Sequence, residues 1–157
     1  MTRLGFLLTA MLGLASNVVA PVPAAAQDTG VTGAAEAAFP NGATFNGISL
    51  KGLTLGQGMF IAPGGSATGQ FQAVLLGTSL LGAAQNITVE GEVGGGSVGA
   101  DGSATFSGTA TVDMGDGTLP LPGVPFTVTA SAGSLGLILN AVALPTATVT
   151  AGSITIK

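Results

Sequence analysis

103-SATFSGTATVDM-114 alternates without a break: Ala104, Phe106, Gly108, Ala110, Val112 and Met114 share one parity, and Ser103, Thr105, Ser107, Thr109, Thr111 and Asp113 take the other. Successive side chains of a strand point to opposite faces, so this register predicts a β-strand with one apolar and one hydroxyl-rich face. Residues 86–93 repeat the logic, with Ile87, Val89 and Val93 inward and Asn86, Thr88, Glu90 and Glu92 outward. Between the two lies Gly94 to Gly102, a glycine-rich stretch suited to a loose hairpin connection.

Working outward, the same period-two pattern predicts strands at Thr44 to Leu55, Gly69 to Leu76, Val124 to Ala130, Leu135 to Ala143 and Thr146 to Ile156. Two of these change phase. Ile48 and Leu50 share one parity and Leu53 and Leu55 the other, with Gly52 between them, and the same slip falls at Gly152, between Val149 and Ile154. A glycine at a parity change is what a β-bulge requires. Pro120, Pro122 and Pro125 predict a sheet edge or a connection, because proline cannot donate to a ladder on both sides. Seven or so short strands with turn signals between them predict an all-β, antiparallel β-sandwich, with a small closed β-barrel as the alternative. That domain covers residues 43–157. Residues 27–42, rich in Ala, Gly and Thr without clear period, read as a flexible lead-in with one helical turn around Ala34 to Ala38.

Residues 1–26 have the three-part layout of a secretory signal: Arg3 in a short basic region, an apolar run from Leu4 to Leu14, and small residues ending at Ala24-Ala25-Ala26. Thr9, Ser16, Asn17, Pro21 and Pro23 interrupt or follow the apolar run, which makes it a poor permanent span. The expectation is therefore a signal helix cleaved after Ala26, and a periplasmic, cell-surface or secreted, most simply bacterial, β-domain with no membrane span after cleavage. Loss of Arg3 leaves two basic residues, Lys51 and Lys157, against seven acidic ones, a net charge of −5. Nucleic acid and anionic membrane, which need a basic footprint, are not expected partners. Cysteine is absent, so the exported domain must hold together by packing and pairing rather than by disulfides. Only 6% of the residues are charged, and a surface so poor in charge resists self-association weakly.

The composition also limits chemistry. The chain has no His, Cys, Tyr or Trp, and no Arg after residue 3, so imidazole bases, thiolates, the usual zinc ligands and guanidinium clamps are missing. Three groupings remain. Glu90 and Glu92 stand two apart on one strand face, a spacing that two-carboxylate glycosidases use, but also that of an ordinary solvated face. Asp113-Met114-Gly115-Asp116-Gly117 sets two carboxylates in a glycine turn without the spacing of a calcium loop. Gly94-Gly95-Gly96-Ser97-Val98-Gly99 matches G-x-G-x-x-G, yet a strand rather than a helix is expected after it, so no phosphate cradle is expected there. No catalytic residue, cofactor or metal site is assigned. The one surface feature with character is the outward row Ser103, Thr105, Ser107, Thr109 and Thr111, a candidate contact row for glycan, cell envelope or a second copy. The expected function is non-enzymatic: a structural, adhesive or self-assembling β-domain. The alternative is a carrier of an apolar small molecule, suggested by Val74-Leu75-Leu76, Leu80-Leu81 and Leu135 to Leu139. A carboxylate-dependent hydrolase is the minor third reading.

Overall fold

The computed structural model describes residues 26–157, and the signal helix expected before them lies outside the described residues. In chain order the strands are β1 (Thr29–Ala38), β2 (Thr44–Phe45), β3 (Ile48–Ile61), β4 (Ser66–Thr78), β5 (Ile87–Val98), β6 (Ala104–Asp113), β7 (Leu121–Ala130), β8 (Ser134–Leu139), β9 (Val142–Ala143) and β10 (Ala147–Ile156). All pair antiparallel in one sheet of order β1-β10-β8-β7-β6-β5-β4-β3-β2, with β9 beside β8. β1 also pairs with β3 from Thr29↔Ile61 to Ala38↔Gly52, so the ladder returns to its starting strand. The all-β antiparallel class expected from the alternation is the one found.

Several expectations are corrected. The segment read as a flexible lead-in with a helical turn contains β1, in which Val31, Ala35 and Ala37 are buried and Thr32, Ala34 and Glu36 are exposed. Alanine's helix preference is outweighed here by two neighbouring strands that pair with β1 on both of its edges. The strand expected from Thr44 is cut at Asn46 and Gly47, whose positive φ angles (49° and 82°) make the two-residue turn that Asn-Gly favours. Gly94 to Gly102 is not all connection: β5 runs on to Val98, leaving only residues 99–103 as the turn. The prolines fall as expected: Pro120 lies in the connection before β7, and Pro122 and Pro125 lie in the part of β7 that has no β8 partner, a local sheet edge. They precede Phe126, where pairing with β8 begins, so their missing N–H groups cost that ladder nothing.

Both bulges fall where the parity slipped. The β3–β4 register shifts between Leu50 and Gly52. The β1–β10 register shifts so that Glu36 pairs with Ala151 and Ala37 with Val149, next to Gly152 at φ 79°. A side chain at residue 152 would be strained in that left-handed conformation.

One side of the ring carries the core. Val31, Leu53, Leu55, Met59, Ile61, Phe71, Leu75, Ile87, Val89, Phe106, Val128, Leu135, Leu137 and Leu139 are all buried there. At its centre the Phe71 ring stacks on Phe126 at 5.6 Å and tilts against Phe106 at 5.8 Å, the offset and tilted geometries aromatic pairs prefer. Inward-facing Gly91 makes room for this cluster, since a Cβ there would stand 2.6 Å from Phe126 Cε1. Gly91→Ala is expected to cost ~1–3 kcal/mol by overpacking, and Phe126→Leu in the same chain is expected to recover part of it. Urea unfolding of the two single variants and the double variant measures the coupling.

Candidate functional site

The hydroxyl row expected from the alternation runs along β6 and the residue before it. Ser103 precedes the strand, and both its N–H (3.0 Å) and its Oγ (2.7 Å) donate to Asp101 Oδ1. Thr105 faces Thr129 of β7, with their Oγ1 atoms 3.2 Å apart. Ser107, Thr109 and Thr111 are exposed. The five residues are thus collinear but not equivalent: the first two spend their hydroxyls on neighbours, and the last three face solvent.

Register extends the row sideways. Thr109 pairs with Glu92 and Glu92 with Gln70, while Thr111 pairs with Glu90 and Glu90 with Gln72. The result is a two-by-three grid of hydroxyl, carboxylate and amide groups over β6, β5 and β4. It lines a shallow depression of about 350 Å³ on the outside of the ring. Across the strands such groups repeat at ~4.8 Å and along them at ~6.6 Å. Glu90 and Glu92 share a face as expected, but they stand on an open pleat rather than across a cleft. The glutamines were missed as site residues although their outward parity was readable, because cross-strand register joins them to the carboxylates and a single strand's pattern does not carry register.

The acidic turns use their carboxylates locally. Asp113 Oδ1 accepts the Gly115 N–H at 2.8 Å, and Asp116 Oδ1 accepts the Thr118 N–H at 2.9 Å and the Thr118 hydroxyl at 2.6 Å. These are the short Asp-to-backbone bonds that shape turns. Among the described residues no three Asp or Glu side chains converge as a metal site would need. The glycine run 94–99 continues β5 and turns into β6, so the cradle and helix of a phosphate site are not formed. The Thr118 hydroxyl, then its N–H, hold the Asp116 carboxyl below the usual aspartate range, and the Ser103 hydroxyl and N–H do the same for Asp101. A folded-state value below the unfolded one stabilises the fold at pH above ~3.9, and the effect is lost as pH falls through the folded midpoint. Carboxyl titration by NMR should give both residues midpoints below that value, and Thr118→Ala should raise that of Asp116 alone.

One buried side chain breaks the sorting of polar from apolar. Gln57 of β3 is 8% exposed, and neither its Nε2 nor its Oε1 has a hydrogen-bond partner. It stands at an inner level that runs in register through Ile154, Gly33, Gln57, Phe71, Gly91 and Ala110. Continuing the Leu53, Leu55 parity through Met59 and Ile61 places residue 57 inside, which was the available signal once β3 is known to run past Leu55. An amide buried without partners costs ~1–3 kcal/mol, so Gln57→Met is expected to raise stability by about that amount in chemical denaturation.

No family model matches the chain, and no curated protein and no solved structure is significantly similar to it.

Proposed function

We propose that this chain is an exported, non-catalytic β-domain that works through its outer surface as a structural, adhesive or self-assembling component of the cell envelope or the extracellular space. The observation that carries the proposal is the division of labour across the sheet. The inner side is filled by Phe71, Phe106, Phe126 and the surrounding aliphatic layers, while the outer side of β4, β5 and β6 presents the registered grid of Gln70, Gln72, Glu90, Glu92, Thr109 and Thr111. Export rests on the signal layout of residues 1–26.

Within this reading the ring is a small barrel rather than a two-layer sandwich. Along the paired residues, Ala38–Thr148–Ser134, then Leu135–Ala130–Ala104–Val98, then Gly95–Ser66, then Ala67–Ile61–Thr29 lead back to β1 at the other end of the strand. Such a stagger accompanies tilted strands closing on themselves, and an interior of eight strands is just wide enough for side chains to fill. Its apolar side faces in and its polar side out, the reverse of a lipid-embedded barrel. A rigid polar pleat of this kind suits extended polar polymers such as glycans, or the same face of another copy.

Light scattering, electron microscopy and adhesion to envelope fractions test the proposal. Concentration-dependent assembly or retention on envelope glycan is expected, reduced at least about tenfold by Thr109→Lys with Thr111→Lys, which put two large cations into the grid. A protein that stays monomeric at every concentration and is retained on no envelope fraction would overturn it. A second reading, the carriage of an apolar molecule with one polar group, is favoured by the partnerless Gln57 amide inside an apolar interior. Native mass spectrometry that finds a co-purified apolar molecule in the wild type and not in Gln57→Met would support that reading instead.

A further inference from the structure

The large apolar side chains that the fold leaves exposed are not spread evenly. Of the nine among the described residues, only Phe60 and Val98 lie toward the end of the ring where β3 turns into β4. The other seven lie toward the opposite end, and the most exposed of them sit in or beside two loops, residues 79–86 between β4 and β5 and residues 114–120 between β6 and β7. Leu80, Leu81 and Leu119 are 90%, 97% and 92% exposed, and Leu121 is 61%.

The placement of Leu80 and Leu81 goes against local chemistry. The Gly82 N–H donates to the Ser79 carbonyl at 2.9 Å and the Ser79 N–H to the Ala83 carbonyl at 2.8 Å, so residues 79–82 form a hydrogen-bonded turn closed by Gly82 at φ 82°. The two central positions of a turn favour Pro, Asn, Asp, Ser or Gly, yet here both are leucine. The turn is also held in place. Gln85 Nε2 donates to the Met114 carbonyl at 2.9 Å, which ties one loop to the other, and Asp116 accepts the Thr118 N–H and hydroxyl within the second loop. The leucines are therefore displayed on two loops bonded together, a surface ordered before any partner arrives.

We infer that this end of the ring is the interface of a dimer, in which a second copy of the chain meets it end to end about a twofold axis. The area fits. Leu80, Leu81, Leu119 and Leu121, with the three beside them, Leu76, Ile138 and Val142, present on the order of 800 Å², the share each partner buries in a standard protein interface. The charge fits as well. Loop 79–86 carries no charged residue, and loop 114–120 carries one, Asp116, committed to its own turn. About a twofold axis a patch meets itself, so this end sets few like charges opposite each other, whereas the wall bearing Glu90 and Glu92 would oppose carboxylate to carboxylate. Side-chain type selects a copy over a bilayer. Surfaces that dock on lipid anchor at the headgroups with Trp or Tyr and draw on Lys or Arg; the two loops hold none of these, and the chain has neither Trp nor Tyr. Such a contact closes at two copies and leaves the outer wall free, so it does not rest on the role proposed for that wall.

Sedimentation of the full chain is expected to show a monomer–dimer equilibrium. Leu81→Asp with Leu119→Asp, which set two carboxylates from each copy at the contact, should weaken dimerisation at least about tenfold. Thr109→Lys with Thr111→Lys should leave the dimer intact while reducing envelope retention or assembly beyond two copies, so failure of the dimer and failure of the wall reading are seen separately. The absence of cysteine allows one spin label per chain. Two labels at Ala83→Cys should lie closer together in the dimer than two at Phe60→Cys, which stand at its far ends. A monomer at every concentration would overturn the inference, as would a dimer that survives the aspartates or brings the Phe60→Cys labels closer than the Ala83→Cys pair. So would binding of the monomer to phosphatidylcholine vesicles that the aspartates abolish, because that outcome makes a bilayer the occupant. Thermal unfolding of each variant separates loss of the dimer from loss of fold.

Discussion

β1 uses both of its edges, pairing with β3 along its whole length and with β10 from Val31↔Ile156 to Ala38↔Thr148, and the rest of the molecule depends on that double pairing. A chain without disulfides, with six phenylalanines after residue 26 and neither Tyr nor Trp, has little aromatic bulk and no covalent staple with which to hold two separate layers together. Backbone hydrogen bonds must then do much of the holding, and they are most complete when no strand is left as an edge. Closure also explains why β1 tolerates a sequence of Thr, Gly and Ala. Its place is fixed by neighbours on both sides, so it does not need a strong strand propensity of its own.

This is why the fold class was legible and β1 was not. Phe106, Ala110 and Val112 against Thr105, Thr109 and Thr111 announce a strand because burial on one face and water on the other impose period two on the sequence. Ala34 to Ala38 carries no such contrast: Ala35 and Ala37 are buried and Ala34 and Ala38 are exposed, and alanine serves both sides. Parity slips are local, so Gly52 and Gly152 could be read as bulges from one strand alone. Register is not local. The meeting of Gln70, Glu92 and Thr109 depends on which residue stands opposite which across two ladders, and that is decided by turn lengths and by the shifts between Ser66 and Gly69 and between Val93 and Gly95.

The interior has a consistent logic apart from one residue. Three aromatic rings crowd the middle, and Gly91 on the inner wall yields the volume they need, as a close-packed interior requires. Gln57 sits at the same level, beside Gly33 and Phe71, in a position whose parity belongs to the core. Local rules place it inside and the chemistry of its amide resists that placement. Sites where a folded chain retains such a conflict are where function is usefully sought, because a purely structural position would be filled at lower cost by methionine or leucine.

Low charge then acquires a physical meaning beyond composition. The outer wall over β4, β5 and β6 is hydrated mainly by hydroxyls and amides that stand in register with two carboxylates. Asp101 and Asp116, two of the few charged groups available, are drawn into turns by Ser103 and Thr118, which leaves Glu90 and Glu92 as the concentrated charge of the wall. The end of the ring bearing Leu80, Leu81, Leu119 and Leu121 has a different surface again, apolar and nearly uncharged. A protein whose wall and end differ so sharply has a direction built into it. A contact made by the end would orient the ring on end and present the grid over β4, β5 and β6 sideways, available to whatever lies alongside.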